Sequence, residues 1–250
     1  MSSDSLTIVQ LYPEQLGVSG DGGNVVTLAE RARRAGLDVT VSAHRPGDAV
    51  PTTADIVVIG SGPLSTLRAL HDDILRLGAP LSDWADEGVP VIAIGGGMEI
   101  LSRGIVGGEG GDLEGLGFFD ATARRGAKRR ANYFQVETGY QGGALTLYGF
   151  EDHASSLELG AGSTPLGTVT HGGGNGDGRE GVVRGASFGT QLKGPVLPLN
   201  PELTDRLLRA AVARTGGSYS TNESHAKLDH FAAKSREVVH ANLERAFKAM

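Results

Sequence analysis

Nucleophilic catalysis needs a reactive side chain on a sharp, exposed turn with a base beside it. The stretch Val91-Ile-Ala-Ile-Gly-Gly-Gly-Met-Glu-Ile-Leu-Ser102 is built like such a turn: a short apolar run stops at three glycines, and helix-like sequence follows. Its tip is Gly95, which carries no side chain, and no thiol can replace it because the chain has no cysteine. The remaining nucleophile candidates are Ser61, Ser102 and Ser187, with His153 and His171 available as bases. Serine with histidine serves on several unrelated folds, but none of the three serines stands on the glycine turn. His71-Asp-Asp73 lies on a predicted helix without a matching cluster elsewhere, so it reads as exposed charge and no metal is expected.

Composition sets the frame for these residues. A chain of 250 residues with 39% hydrophobic and 21% charged residues is an ordinary globular one, sized for one large domain or two small ones. The net charge is -6 and no basic stripe is interleaved with aromatics, so nucleic acid is not the expected partner. Without cysteine there are no disulfides, cysteine zinc sites or thiol catalysis. The opening MSSDSLTIVQLYPEQ lacks the basic and apolar regions of a secretory signal. No apolar run reaches the roughly 18 residues of a membrane span, and a cytoplasmic location is expected. The dense basic run Arg124-Arg-Gly-Ala-Lys-Arg-Arg130 reads mainly as a solvated loop, with one or two arginines open to an anionic ligand.

The first half alternates strand and helix. Residues 6–11, 39–42, 55–60 and 90–94 read as strands, and residues 24–34, 66–77, 81–87 and 97–103 as helices. That alternation predicts an α/β fold with a doubly wound, mostly parallel sheet flanked by helices. In the second half, residues 107–117 and 172–181 read as glycine-rich loops, and 133–138 and 144–150 as strands. Two short strands fall within 181–192. A helix over 201–214 is entered through Asn200-Pro201, an asparagine able to cap and a proline tolerated at the first position. A polar hinge at 216–224 and an amphipathic helix at 228–248 complete the chain. The expected division is a main domain, 1–215, and a hinge with terminal helix, 216–250. Ligands of such sheets sit at the carboxyl ends of the strands. Three glycine turns fall there: Gly20-Asp-Gly-Gly-Asn24, Gly60-Ser-Gly-Pro63 and Gly95-Gly-Gly97. None is followed by Gly-Lys-Ser/Thr, so none is a Walker loop; together they point to one shared pocket.

Several motifs occur in a telling order: Leu11-Tyr-Pro13, the Gly20–Asn24 turn, Gly149-Phe-Glu-Asp-His153, Thr164-Pro-Leu-Gly167 and His171-Gly-Gly-Gly-Asn175. Gly189-Thr-Gln-Leu-Lys-Gly-Pro195 and Leu197-Pro-Leu-Asn-Pro-Glu-Leu203 close the series. In kind and order they resemble the GatD-type, cobyric-acid-synthase-like class I glutamine amidotransferases, from about residue 6 to the terminal helix. The resemblance implies a class I glutamine amidotransferase-like, flavodoxin-like fold. It further implies a subunit beside MurT, a Mur-ligase-like partner that uses ATP with Mg, the pair amidating the D-glutamate of the peptidoglycan precursor lipid II. Lipid II would then be met through the complex, at the inner face of the membrane, and this chain itself would hold no cofactor.

The departures fall on the chemistry. The family elbow reads Cys-Gly-Gly-Tyr-Gln, and here the aligned residues are Gly95-Gly-Gly-Met-Glu99. The family's Gly-Thr-Tyr-Leu-His-Gly-Pro carries the base, and Lys193 occupies its place; an unperturbed lysine is protonated at neutral pH and is a poor base. The segment that helps form the oxyanion hole, commonly Gly-Gly-Gly-Gln-Asp, reads Gly60-Ser-Gly-Pro-Leu64. Lys128-Arg129 falls where the family has Lys-Arg, whose arginine helps hold glutamine. The linked replacements imply a non-catalytic subunit, with ligand contacts expected at Gly62, Gly96, Glu99, Arg129 and Lys193. Glu99 and Lys193 either pair with each other or bind the ammonium and carboxylate of a small amino acid, for example glycine. Two alternatives stay open: an active glutamine-hydrolysing subunit with a relocated nucleophile, and an α/β ligand-binding module without a ligase partner.

Overall fold

The computed structural model describes residues 5–245. Its main sheet is built from β1 (Ser5–Leu11), β2 (Asp38–His44), β3 (Ile56–Ile59), β4 (Val91–Ile94), β11 (Val182–Arg184) and β12 (Ser187–Thr190), in the order β11-β12-β4-β3-β1-β2. All neighbours are parallel except β11, which runs antiparallel to β12 at the edge. The sequences IVVI of β3 and VIAI of β4 are fully buried, as expected for central strands covered on both faces. Alternate residues separate into two cores. Val57, Ile59, Val91 and Ala93 join one cluster with Leu67, Ile74 and Trp84. Ile56, Val58, Ile92 and Ile94 join the other with Leu28, Leu203 and Leu207.

The helices of the first cluster are α2 (Leu64–Ala69), α3 (His71–Leu75), α4 (Gly78–Asp86) and α5 (Gly96–Leu101). The single helix expected over 66–77 is thus divided at Leu70, yet Leu70 N–H reaches Thr66 O and Ile74 N–H reaches Leu70 O, so hydrogen bonding continues through the bend. The other face carries α1 (Gly22–Arg34), α6 (Val196–Leu199) and α7 (Pro201–Arg214). The last agrees with the expected 201–214. Asn200 occupies its N-cap position without capping it: the side chain instead bridges Tyr148 N–H (2.9 Å) and Tyr148 O (2.7 Å), tying the helix entry to the second half of the molecule.

That second half holds a second sheet which the sequence reading largely missed. It comprises β5 (Gly104–Val106), β6 (Leu113–Glu114), β7 (Ala121–Thr138), β8 (Leu145–Leu159), β9 (Gly167–His171) and β10 (Arg179–Glu180), ordered β10-β9-β7-β5-β6 with β8 also on β7. The strands expected at 133–138 and 144–150 are only part of a long hairpin of 18 and 15 residues. The basic run 124–130 belongs to β7, not to a loop. Its register slips between Arg125 (opposite Ser155) and Arg130 (opposite His153), so four residues bulge against one. Charged residues on a partly solvated ribbon blur the apolar alternation by which strands are recognised.

The terminal helix α8 spans Ala226–Ala241; positions 246–248 of the expected helix lie outside the described residues. It is held by one buried cation. Arg31 of α1 forks onto both carboxylate oxygens of Asp205 in α7 at 2.8 Å and reaches Asp229 of α8 at 2.5 Å. Tyr219 Oη donates to the same Asp205 at 2.6 Å, and the His225 ring meets Arg31 O at 3.0 Å. Removing one partner of such a cluster strands the others' charge. Arg31→Ala is expected to cost about 3–5 kcal/mol in urea denaturation, and a loss below about 1 kcal/mol would show that the cluster does not hold the terminal segment.

Candidate functional site

The elbow is where β4 passes into α5. Gly95 sits at φ 52°, ψ −114°, a conformation that L side chains avoid, and its N–H is pinned to Thr190 O of β12 at 2.8 Å. The two following glycines have a packing cause. A Cβ on Gly96 would stand 2.6 Å from Gly62 O, and one on Gly97 would stand 2.6 Å from Gly60 O. The turn after β3 and the turn after β4 therefore touch backbone to backbone. This brings Gly62 and Gly96 together at the strand ends.

The space above Gly95 is filled. A Cβ built there would lie 2.5 Å from Ser61 Oγ and 2.7 Å from Lys193 Cε. Ser61 Oγ also accepts Gly96 N–H at 3.3 Å, the amide that in an acyl-transfer elbow would face the oxyanion. Lys193 is 7% exposed and donates from Nζ to Asp152 O at 2.7 Å. Burial pushes its ammonium below the ordinary 10.5, against the opposing pull of Glu99, Asp152 and Asp21. Its backbone pairs with Phe150 in both directions, which hangs the lysine on β8 of the second sheet.

The relocated-nucleophile candidates do not assemble. Among the described residues no hydrogen bond joins Ser61, Ser102 or Ser187 to a histidine, nor Ser61 to Lys193. Ser102 is buried and donates to Glu99 O and Gly104 O. Ser187 accepts Val91 N–H, at the opposite end of β4 from the elbow. His153 lies between Ser155 O and Glu151 Oε2, and His171 faces Glu244 at 3.6 Å.

Glu99 and Lys193 are near neighbours without an ion pair. Glu99 is buried; its Oε1 accepts from Ser155 Oγ at 2.7 Å and Gln191 Nε2 at 3.4 Å, and its Oε2 pairs with Arg125. Of the two expectations for this pair, the direct ion pair is not formed among the described residues: Glu99 meets Arg125 of β7 instead. Arg129, largely exposed, forks onto Asp152 at 2.6 and 2.8 Å. The guanidinium holds the Asp152 carboxyl below its ordinary range. Lys193 and Arg129 are thus joined through one residue, Asp152, whose main chain serves the first and side chain the second.

Three buried carboxylates escaped the sequence reading as site residues. Asp21 is wholly buried; Oδ2 accepts Ser61 N–H at 3.0 Å, Oδ1 has no partner, and burial raises its carboxyl. The Gly-Asp-Gly-Gly motif marked its place. Glu151, from Gly-Phe-Glu-Asp-His, accepts the amides of Gly173 (2.8 Å) and Gly174 (3.2 Å). Burial alone would raise its carboxyl, but the bonds from His153 and these amides outweigh burial and hold it below 4.5. This joint explains why that motif and His171-Gly-Gly-Gly-Asn175 occur together. Glu180 takes Thr190 Oγ1 and Gln191 N–H at 2.6 Å each, with its carboxyl raised by burial. Nothing in its glycine-rich surroundings marks it in the sequence.

Residues 7–201 match the CobB/CobQ-like glutamine amidotransferase domain. The chain belongs to that family. A curated relative, the lipid II isoglutaminyl synthase (glutamine-hydrolyzing) subunit GatD of Staphylococcus aureus (strain N315), is 31% identical over 87% of this chain and 89% of its own. The subunit of the same name from Streptococcus pneumoniae (strain ATCC BAA-255 / R6) is 30% identical over 85% and 82%. Among solved structures, PurLQS from Thermotoga maritima superposes with TM-score 0.54 at 13% identity, covering 92% of this chain and 98% of that one. A second, described as a glutamine amidotransferase, gives 0.51 at 18% identity over 83% and 98%. At these identities the two structures bear on the amidotransferase fold alone, and the fold agrees with the parallel sheet and flanking helices above. No helix among the described residues is long and apolar enough to cross a membrane.

Two measurements check this geometry. Gly95→Ala forces a side chain into a positive-φ position and against Ser61 and Lys193; a loss of about 1–3 kcal/mol is expected in urea denaturation, and an unchanged midpoint would contradict the crowding. Because Lys193 is depressed below 10.5 in the native state, the unfolded chain binds more protons in the window beneath that value. Its contribution to stability therefore rises with pH there. Lys193→Met should flatten that slope between neutral pH and about pH 10.

Proposed function

We propose that this chain is a non-glutaminase, GatD-like subunit of a MurT-like, ATP-dependent ligase complex that modifies the D-glutamate of lipid II with an amine donor other than glutamine. One observation carries the reading: the space a nucleophile would occupy on the elbow is taken by Ser61 Oγ and Lys193 Cε. Glutamine hydrolysis needs a nucleophile, a base and oxyanion donors. Here the first position is Gly95, the second is a lysine that donates to Asp152 O, and the amide after the elbow is engaged by Ser61. Replacements that fit one another in this way support a site redirected as a unit.

The two GatD subunits at 31% and 30% identity support the assignment to a ligase complex. ATP and Mg belong to the MurT-like partner in this account. For the donor, a small amino acid such as glycine suits the groups at hand. Lys193 can meet its carboxylate. With Glu99 engaged by Arg125, the buried and unpartnered Oδ1 of Asp21 is an anionic acceptor for its ammonium.

The isolated protein is expected to release no glutamate from glutamine. Gly95→Cys alone should remain inactive, because the thiol would be crowded and without a base. Gly95→Cys combined with Ser61→Gly and Lys193→His should gain measurable glutaminase. Wild-type glutaminase activity abolished by Ser61→Ala would overturn the reading. In the purified complex, glycine should stimulate ATP turnover; if no free amino acid does so, the donor assignment fails while the subunit assignment stands.

A further inference from the structure

The arginines of the long hairpin are paired with carboxylates with one exception. Arg124 meets Glu158, Arg125 meets Glu99 and Arg129 meets Asp152, while Arg179 beside the hairpin meets Asp177. Arg130 has no ion-pair or side-chain hydrogen-bond partner among the described residues, although it is partly buried. In a chain of net charge -6, an unmatched and half-buried guanidinium stands out. It also has a prepared seat: a Cβ on Gly173 would collide with the Arg130 side chain, so the glycine loop after β9 leaves room for it.

Arg130 opens onto a cavity of about 500 Å³ lined by Lys128, Asn132, His171, Gly172 and Gly173 among others. Lys128 is exposed and likewise without a partner among the described residues. The carboxylates at this cavity do not cancel the two cations. Glu151 is consumed by Asn132, His153 and the amides of Gly173 and Gly174. Glu244 is almost fully exposed and stands 3.6 Å from His171. The lining includes Arg129, which reaches Lys193 through Asp152, but none of Ser61, Gly95, Glu99 or Lys193, so the cavity lies beside the elbow and not on it.

We propose that this cavity is an anion site for a phosphate or pyrophosphate group, with Arg130 as the forked donor and Lys128 as the second cation. Two uncompensated cations match a group carrying two negative charges better than a single carboxylate, and a guanidinium fork suits its paired oxygens. His171, 3.6 Å from Glu244, also lines the cavity. The phosphate can belong to a free small molecule or to a lipid headgroup; the chemistry recognised is the same. This site is independent of the reading of the elbow, and either can fail alone.

The test uses the full chain at low salt. Inorganic pyrophosphate is titrated calorimetrically, and in parallel the protein is sedimented with phosphatidylcholine vesicles with and without phosphatidic acid. Binding in either arm is expected to weaken about tenfold or more in Arg130→Ala. Lys128→Ala should weaken it less, and Arg130→Lys should give an intermediate loss because the fork is missing. Arg124→Ala, whose arginine is already paired with Glu158, should leave it unchanged. Pyrophosphate binding identifies a free phosphate ligand, and binding confined to phosphatidic-acid vesicles identifies a headgroup. Absence of binding in both arms, or binding that Arg130→Ala and Arg130→Lys leave intact, overturns the proposal. A thermal melt of each variant separates loss of binding from loss of fold.

Discussion

The site depends on a contact between two turns. The backbone after β3 and the backbone after β4 approach so closely that neither Gly96 nor Gly97 can carry a Cβ without meeting a carbonyl oxygen of Gly62 or Gly60. That contact fixes where β4 ends, where α5 begins and how Gly95 must bend. The elbow is therefore a structural requirement of the sheet, whatever its tip carries. Strands whose side chains alternate between two apolar cores leave little freedom to rebuild it.

Around this fixed turn the polar groups form a closed arrangement. Glu99 is neutralised by Arg125 and bonded to Ser155 and Gln191; Lys193 is bonded to Asp152 O; Ser61 covers the Gly96 amide. Buried charges are tolerable when each has a partner and costly when one is withdrawn. Exchange of a single member for its counterpart in a glutaminase would leave the others mismatched. Asp21 Oδ1, on the carboxylate that takes the Ser61 amide, and Gln191 Oε1 are exceptions, buried acceptors with nothing to accept. Unpartnered buried acceptors of this kind are suited to holding a ligand's donor group.

Much of the fold was legible because its signals are local. The apolar runs at β3 and β4, the glycine stops and the Asn200-Pro201 helix start are each written in a few neighbouring residues. The vacancy at Gly95 was legible for the same reason. Most of the second sheet was not, because β7 carries its charges through a four-residue bulge and alternates cleanly only towards its ends. Partners distant in sequence were also hidden. Arg31 finds Asp205 at 174 positions' separation, and Arg125 reaches Glu99 only because the hairpin folds back over α5. Glu151 lay within a motif that resembles the family's, while its role as the joint between β8 and a glycine loop emerged from the hydrogen bonds.

The account turns on whether nitrogen from glutamine passes through this subunit. The most direct measurement supplies the purified complex with ATP, acceptor, amide-labelled ¹⁵N-glutamine and unlabelled glycine, and reads the product by mass spectrometry. The product should carry glycine and no ¹⁵N. A product amide bearing the ¹⁵N label would contradict it.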